Sequence, residues 1–334
     1  MEPKVILTGF ADEGPPSKRA EAQLSMCRAL GLSYYSPRFV DCGQGVKNLM
    51  ALTPEEISFL KDLHDEYEMK VSSVGSPIGK VKLLDIDDGT HNRYVPFDQY
   101  LETEVAHAIE LAETFGAKLI RGFSFYGPKQ DDPRQHVAQA AEYLRAIAEK
   151  CAAAGIVFGL EVEANLVGRN GELEMALYEA VNHDHLLLIF DGANISCQGY
   201  GPEAVYQQYE AMKGGIGWMH VKDYLRHDEE GVKDYVDEEM MMRFVPADRG
   251  HAGYYQILAD FKHRLPSLME EHAQRGIPGV FLDLEPHLKG GGQFGGFSGP
   301  DGFGVALRAL CRVLDAVGIG YDLTVYDELK KAGK

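Results

Sequence analysis

Positive charge is in short supply. Against 51 Asp and Glu the chain carries 33 Lys and Arg, a net charge of −18 over 334 residues. Most of such a surface would repel a nucleic acid or an anionic membrane, so neither is an expected partner. Cysteine is sparse as well: positions 27, 42, 151, 197 and 311, odd in number and without a CxxC pair. That spacing argues against a disulfide framework and against a thiolate zinc site. No apolar run reaches the ~18 residues of a membrane helix, and the opening MEPKVILTGF is too short for a secretory signal and reads as a first strand. A cytoplasmic protein with reduced thiols is expected. After that strand comes Gly9-Phe10-Ala11-Asp12-Glu13 instead of GxGxxG, the turn that an open dinucleotide-binding sheet would want. Composition nowhere breaks, which predicts a single domain over 1–334.

What the chain does have is a repeating alternation. Short apolar runs at 5–9, 32–35, 71–74, 118–125, 156–163, 186–191, 217–222 and 280–285 read as strands. Helical patterns separate them. One spans 20–30 and stops at Gly31. A capping box, Thr53-Pro54-Glu55-Glu56, opens the next. Leu101, Val105, Ala108, Ala112 and Phe115 mark an amphipathic stripe, and further helices are expected at 132–154, 172–181, 206–212, 254–268 and 304–317. Nearly continuous apolar strands imply burial on both faces and hence a parallel sheet. Eight β-α units predict an α/β fold of the (β/α)8 TIM-barrel type, with an open doubly wound sheet as the alternative. Two segments fall outside the pattern: an acidic, methionine-rich insertion at about 227–244, and a glycine-rich loop at 290–304, where eight of fifteen residues are glycine.

In such a barrel the C-terminal strand ends form one ring. Glu161, Asp191, His220 and Glu285 each close a different apolar strand, the fifth to the eighth. Asp283 shares the Glu285 face, two residues earlier. Three carboxylates and an imidazole converging in a dry mouth would repel one another unless a positive charge sat between them. A divalent cation supplies it. An oxygen-rich set with one nitrogen suits Mn²⁺ first, with Mg²⁺ or Co²⁺ as alternatives, better than a structural zinc.

The stretches Gly159-Leu160-Glu161, Phe190-Asp191-Gly192-Ala193-Asn194, Met219-His220-Val221-Lys222-Asp223-Tyr224 and Leu284-Glu285-Pro286-His287, together with Ser76-Pro77-Ile78-Gly79-Lys80, resemble the xylose-isomerase-like barrels. These include sugar and sugar-phosphate isomerases and epimerases, such as tagatose 3-epimerase and the inosose enzymes. The resemblance implies that Glu161, Asp191, His220 and Glu285 bind one Mn²⁺-like ion. It also implies that Glu161 and Glu285 handle the substrate proton from opposite faces. The chain departs from common members at Pro246-Ala247-Asp248-Arg249-Gly250-His251, where many have a Gly-Glu-Gly turn, and at Asn194, where many have histidine.

Other residues keep two readings each. Lys80, Arg38, Lys222 and Arg249 could clamp a carboxylate, a phosphate or sugar hydroxyls, or form surface ion pairs. His251 and His287 could polarise hydroxyls or transfer protons. Glu163 shares the inward face with Glu161 and is either a substrate contact or the true ligand; Asn194 falls on the substrate side. Trp218 is expected in the outer core. Tyr34 and Tyr126 are candidates to stack on a sugar face, and Met240-Met241-Met242 to pack the insertion or an oligomer contact.

The expected activity is a metal-dependent sugar isomerase or epimerase acting through an enediolate on a small carbohydrate. A homo-oligomer, dimer or tetramer, is expected. The alternatives are a 3-keto-glycoside lyase of the C-glycoside deglycosidase type, an abasic-site endonuclease and a non-catalytic sugar-binding protein. The glycine-rich loop, with Phe294, Phe297 and Phe303, is expected to act as a lid or an oligomer-facing loop, or else as a phosphate cradle.

Overall fold

The computed structural model describes residues 2–227, 231–237, 239–290, 296–325 and 328. Its framework is a ring of parallel strands: β1 Lys4–Gly9, β2 Tyr34–Tyr35, β3 in two pieces (Lys70–Val71 and Val74–Gly75), β4 Leu119–Gly122, β5 Val157–Glu161, β6 Leu186–Asp191, β7 Ile216–Val221 and β8 Phe281–Leu284. Neighbours from β3 round to β8 pair in chain order, and β8 pairs with β1 (Leu7 opposite Leu282). β2 pairs with the first piece of β3, and a Phe10–Ser36 bridge ties it to β1, closing the ring. Gly320–Asp322 adds a strand outside the ring, against β1.

Most helices stand where the periodicity puts them. The capping box forms at Pro54–Glu66: Thr53 accepts from the Glu56 N–H, and Glu56 accepts from the Thr53 N–H. Three boundaries move for local reasons. The helix expected at 254–268 is split into Tyr254–Phe261 and Leu265–Gln274, because Pro266 fits only the first turn of a helix. The stripe at 101–115 carries a π turn at Leu101–Val105 ahead of Ala106–Thr114. The last helix begins at Gly299, five residues early, with Pro300 and Asp301 in its first turn. The glycine-rich loop therefore ends at 298 and not at 304, and residues 291–295, including Phe294, lie outside the described residues. Phe303 is a fully buried helix residue whose ring lies over Gly9, where a Cβ would come within 2.6 Å of it.

Side chains two apart along a strand share a face, and this parity layers the barrel interior. Leu119, Val157, Leu187, Ile189, Trp218 and Phe281 form a closed apolar plug, with Ile6 and Tyr34 against it. Trp218 is thus inside the barrel, not in its outer core, because it sits two residues before inward-facing His220. Gly159 makes room for it: a Cβ there would lie 1.9 Å from Trp218 Cη2. Above the plug is a hydroxyl layer. Thr8 Oγ1 lies 2.7 Å from Ser72 Oγ, which lies 2.9 Å from Ser36 Oγ, and Ser36 donates to Asp283.

The insertion at 227–244 is anchored where it is described; 228–230 and 238 lie outside the described residues. Phe244–Val245 pairs antiparallel with Asp223–Tyr224. Val236, Met240 and Phe244 bury themselves with Ala164, Ala193, Cys197 and Tyr224. Asn165 donates to Val236 O at 3.0 Å and accepts from Val236 N at 2.9 Å, substituting for a strand partner.

Candidate metal centre

Glu161, Asp191, His220 and Glu285 each present a ligand atom at the barrel mouth, and these atoms all lie within 4.8 Å of one another. All four side chains are buried. Alternation along the strands aims them there: Glu161 and Asp191 end β5 and β6, His220 is the penultimate residue of β7, and Glu285 follows β8. Asp191 also caps the short helix Gly192–Ser196, accepting from the Ala193 and Asn194 N–H groups with Oδ1, each at 3.0 Å. Its Oδ2 is left for the mouth. That helix delivers Asn194, whose Nδ2 donates to Glu161 Oε1 at 3.2 Å and so braces this carboxylate.

Charge balance is local. Lys222 donates to Glu285 Oε2 at 2.6 Å and to Asp191 Oδ2. Arg38 donates to Glu285 Oε1 and lies 3.2 Å from Asp12 and 3.4 Å from Glu13. Burial works against ionisation of Glu161, but the His220 and Arg121 charges outweigh it and bring its pKa down to about 2. Burial is likewise overridden at Glu285, by Lys222, His287 and Arg38, leaving it well below the usual carboxylate range. Asp191 goes the other way, pushed up to about 6 by burial against the pull of Lys222. His220 Nδ1 stands 3.0 Å from Glu161 Oε1, yet neither ring nitrogen makes a hydrogen bond among the described residues. A buried imidazole without hydrogen bonds, facing three carboxylates, fits a divalent cation by its donor chemistry.

Asp283, although inward-facing, is not part of the four-atom cluster. It lies in the hydroxyl layer below, pushed up to about 6 by burial. Glu163 is also outside the cluster: it pairs with Lys80 at 2.7 Å across the adjoining cavity. Of the substrate candidates, Arg38, Lys80, Glu163, Asn194, Lys222 and His287 line that cavity.

Arg249 and His251 do not line it. The buried Asp223 carboxylate accepts from the Gly250 and Ala252 N–H groups at 3.1 and 2.8 Å and folds the 246–252 turn against itself. Arg249 is left outside beside Asp248, and His251 Nδ1 accepts from the Arg226 N–H at 3.0 Å. Tyr34 is no sugar platform, since it packs edge-on to Phe281 at 5.2 Å in the apolar plug. Tyr126 lines a different, polar cavity. The methionines divide: Met240 is buried within the insertion, Met241 reaches the cavity and Met242 is 58% exposed.

Two residues at the site carried no assignment from the sequence. Glu13, fully buried, accepts from His287 Nδ1 and from the His287 backbone N–H, both at 2.6 Å, and from Ser298 Oγ at 3.0 Å. Its place directly after β1 was the available signal. Arg121, near the end of β4, also lines the cavity. A lone arginine inside an apolar strand gives no such signal.

A parallel barrel whose C-terminal mouth gathers an oxygen-rich donor set that could hold a divalent cation is a defined class of protein. The sequence matches the xylose isomerase-like TIM barrel family over residues 24–265, and the chain belongs to that family. Among solved structures, it is similar to a xylose isomerase-like TIM barrel protein from Mycobacterium smegmatis in complex with magnesium. That match has a TM-score of 0.60 and 16% identity, covering 94% of this chain and 96% of the other. It is similar to a D-psicose 3-epimerase with D-tagatose from Clostridium cellulolyticum H10, at a TM-score of 0.59 and 13% identity over 94% and 99% of the two chains. The IOLI protein with a binding zinc atom gives 0.59 and 16%, over 94% and 98%. At these identities the likeness establishes the fold. No curated protein is a significant match. Among the described residues no helix is long and apolar enough to cross a membrane.

Proposed function

We propose that the chain is a divalent-metal-dependent sugar isomerase or epimerase working by proton transfer. The observation that carries this reading is the convergence of Glu161, Asp191, His220 and Glu285 within 4.8 Å in the barrel mouth, with Glu285 also lining the cavity. These four residues would hold the cation, Mn²⁺ by preference. When bound, the cation supplies charge stabilisation to neighbouring carbonyl and hydroxyl oxygens, which acidifies the carbon-bound hydrogen between them. Glu161 and Glu285 reach the site from β5 and β8. One carboxylate takes the proton, leaving an enediolate; the other returns one, to the opposite face or to the neighbouring carbon. Lys80, Glu163, Asn194 and Lys222 present donors and acceptors for hydroxyls, and Met241 and Phe244 add apolar surface to the cavity wall.

A lyase reading shares the enolate step and differs in losing a leaving group. His287, held by Glu13 and lining the cavity, is the observation that favours it, as a hydrogen-bond donor for a departing oxygen. The two are separated by incubating the protein with Mn²⁺ and a panel of free, phosphorylated and 3-keto sugars in deuterated water. Deuterium at one sugar carbon supports the isomerase or epimerase, and release of an aglycone supports the lyase. Neither outcome across the panel would remove the enzymatic reading.

A further inference from the structure

The whole chain is acidic, yet its candidate cavity is lined by four cations, Arg38, Lys80, Arg121 and Lys222. Three are engaged by carboxylates: Arg38 with Asp12, Glu13 and Glu285, Lys80 with Glu163, and Lys222 with Asp191 and Glu285. Arg121 differs. Among the described residues its guanidinium makes no hydrogen bond, and its Nε is buried without a partner. Among the described residues its one ion contact is Nε to Glu161 Oε2 at 3.6 Å, beyond hydrogen-bond distance.

Aromatic faces hold Arg121 instead. Its guanidinium carbon lies 4.6 Å from the Phe123 ring centroid and 5.1 Å from that of Phe10. Lys80 shares Phe123 at 4.3 Å, and Arg38 shares Phe10 at 4.4 Å. Stacking uses the face of a guanidinium and leaves its in-plane N–H donors unspent. Those donors form a fork that matches the two oxygens of a planar carboxylate or the edge of a phosphate. A neutral hydroxyl offers no such match. A buried cation with unused donors is costly unless a ligand completes it.

We infer that the substrate carries an oxyanion, carboxylate or phosphate, close to its reacting carbons, and that Arg121 binds it. This rests on the sugar-enzyme reading above and narrows it to acidic sugars. The position follows from Arg121 standing beside Glu161, at the inner end of the cavity. The competing role for Arg121 is to balance the Glu161 charge alone; that role engages only Nε, at 3.6 Å, and leaves the other guanidinium donors unspent.

The test is calorimetric titration of the Mg²⁺-supplemented protein with 2-keto-D-gluconate, D-fructose 1-phosphate and D-fructose, on wild type, Arg121→Met and Arg121→Lys. The wild type should bind at least one anionic sugar about tenfold or more tighter than fructose. Arg121→Met should erase that preference with metal content unchanged, and Arg121→Lys should keep only part of it. Whichever anion is preferred identifies the oxyanion. Equal affinity for charged and neutral sugars, or no anion binding by the wild type, overturns the inference. So does an Arg121→Met protein that loses metal while keeping the preference. Should Arg121→Met fail to fold, Arg121→Lys carries the comparison alone. Deuterium exchange into a neutral sugar would sink this inference and leave the proposed function standing. Selective anion binding with no exchange anywhere would do the reverse.

Discussion

His220 and Glu161 belong to strands that are not neighbours, yet His220 Nδ1 lies 3.0 Å from Glu161 Oε1. β6 separates β7 from β5 in the sheet. Only the curvature of a closed ring, with inward-facing residues at matching heights, brings the two together across the mouth. Glu285 adds its own contact from the far side of β7, with Oε2 3.9 Å from the same nitrogen. The cluster is therefore a property of the closed barrel and not of any one loop.

Three buried carboxylates face one another there, so a bound cation should stabilise the native state by mass action. At a hundredfold excess of free metal over its dissociation constant the gain is about 2.7 kcal/mol. Chelation should lower the melting temperature, and added Mn²⁺ should restore it. An unchanged melting temperature after verified metal removal would count against this coupling.

Gly159→Ala tests the interior plug. The added Cβ meets the Trp218 ring at 1.9 Å, in a layer with no room to yield. Overpacking of this kind costs about 1–3 kcal/mol. Urea unfolding should show that loss, and the Gly159→Ala/Trp218→Phe protein should recover part of it. Wild-type stability in the single mutant would mean that the plug is looser than described.

Two buried histidines set a pH dependence away from the candidate metal centre. Burial lowers His64 and His272 to about 4 from an ordinary 6.5. His64 lies 2.6 Å from Tyr35 Oη, and His272 Nδ1 lies 2.8 Å from Gly279 O. Both pKa values are depressed in the folded state, so between pH 6.5 and 4 the unfolded chain binds more protons. Stability is full above pH 6.5 and falls as pH drops toward 4, by about 1.4 kcal/mol per unit for each group at most. Urea midpoints at pH 7, 5.5 and 4.5 check this. His64→Gln should flatten the slope, and an identical slope in that variant would exclude His64 as a contributor.

Asn165→Ala should loosen the insertion. The amide makes two hydrogen bonds to the Val236 backbone, each worth about 1 kcal/mol. Limited proteolysis within 231–245 should speed up by about tenfold, with the barrel intact. Unchanged cleavage would mean that the apolar cluster around Phe244 holds the segment by itself.

How much of this could be read in the sequence follows from the physics of each feature. Strand order and the four strand-end acceptors were legible, because apolar runs and two-residue parity fix which side chains point inward. The same parity contained the correct place of Trp218, two residues from His220, although the residue was expected in the outer core. Arg249 and His251 were misplaced because the fold of their turn depends on Asp223, a contact across 27 residues. Phe303 looked like loop among its glycines, although Pro300 and Asp301 already marked a helix start. Arg121 stayed hidden: its significance lies in the hydrogen bonds it does not make, and those depend on tertiary packing.

Metal content measures the central claim most directly. Wild type, Asp191→Asn and His220→Ala proteins are equilibrated with Mn²⁺, freed of unbound ion and analysed for bound metal. The wild type should retain one equivalent, while both variants retain far less and still melt cooperatively. Full occupancy in both variants would contradict a cation held by Glu161, Asp191, His220 and Glu285.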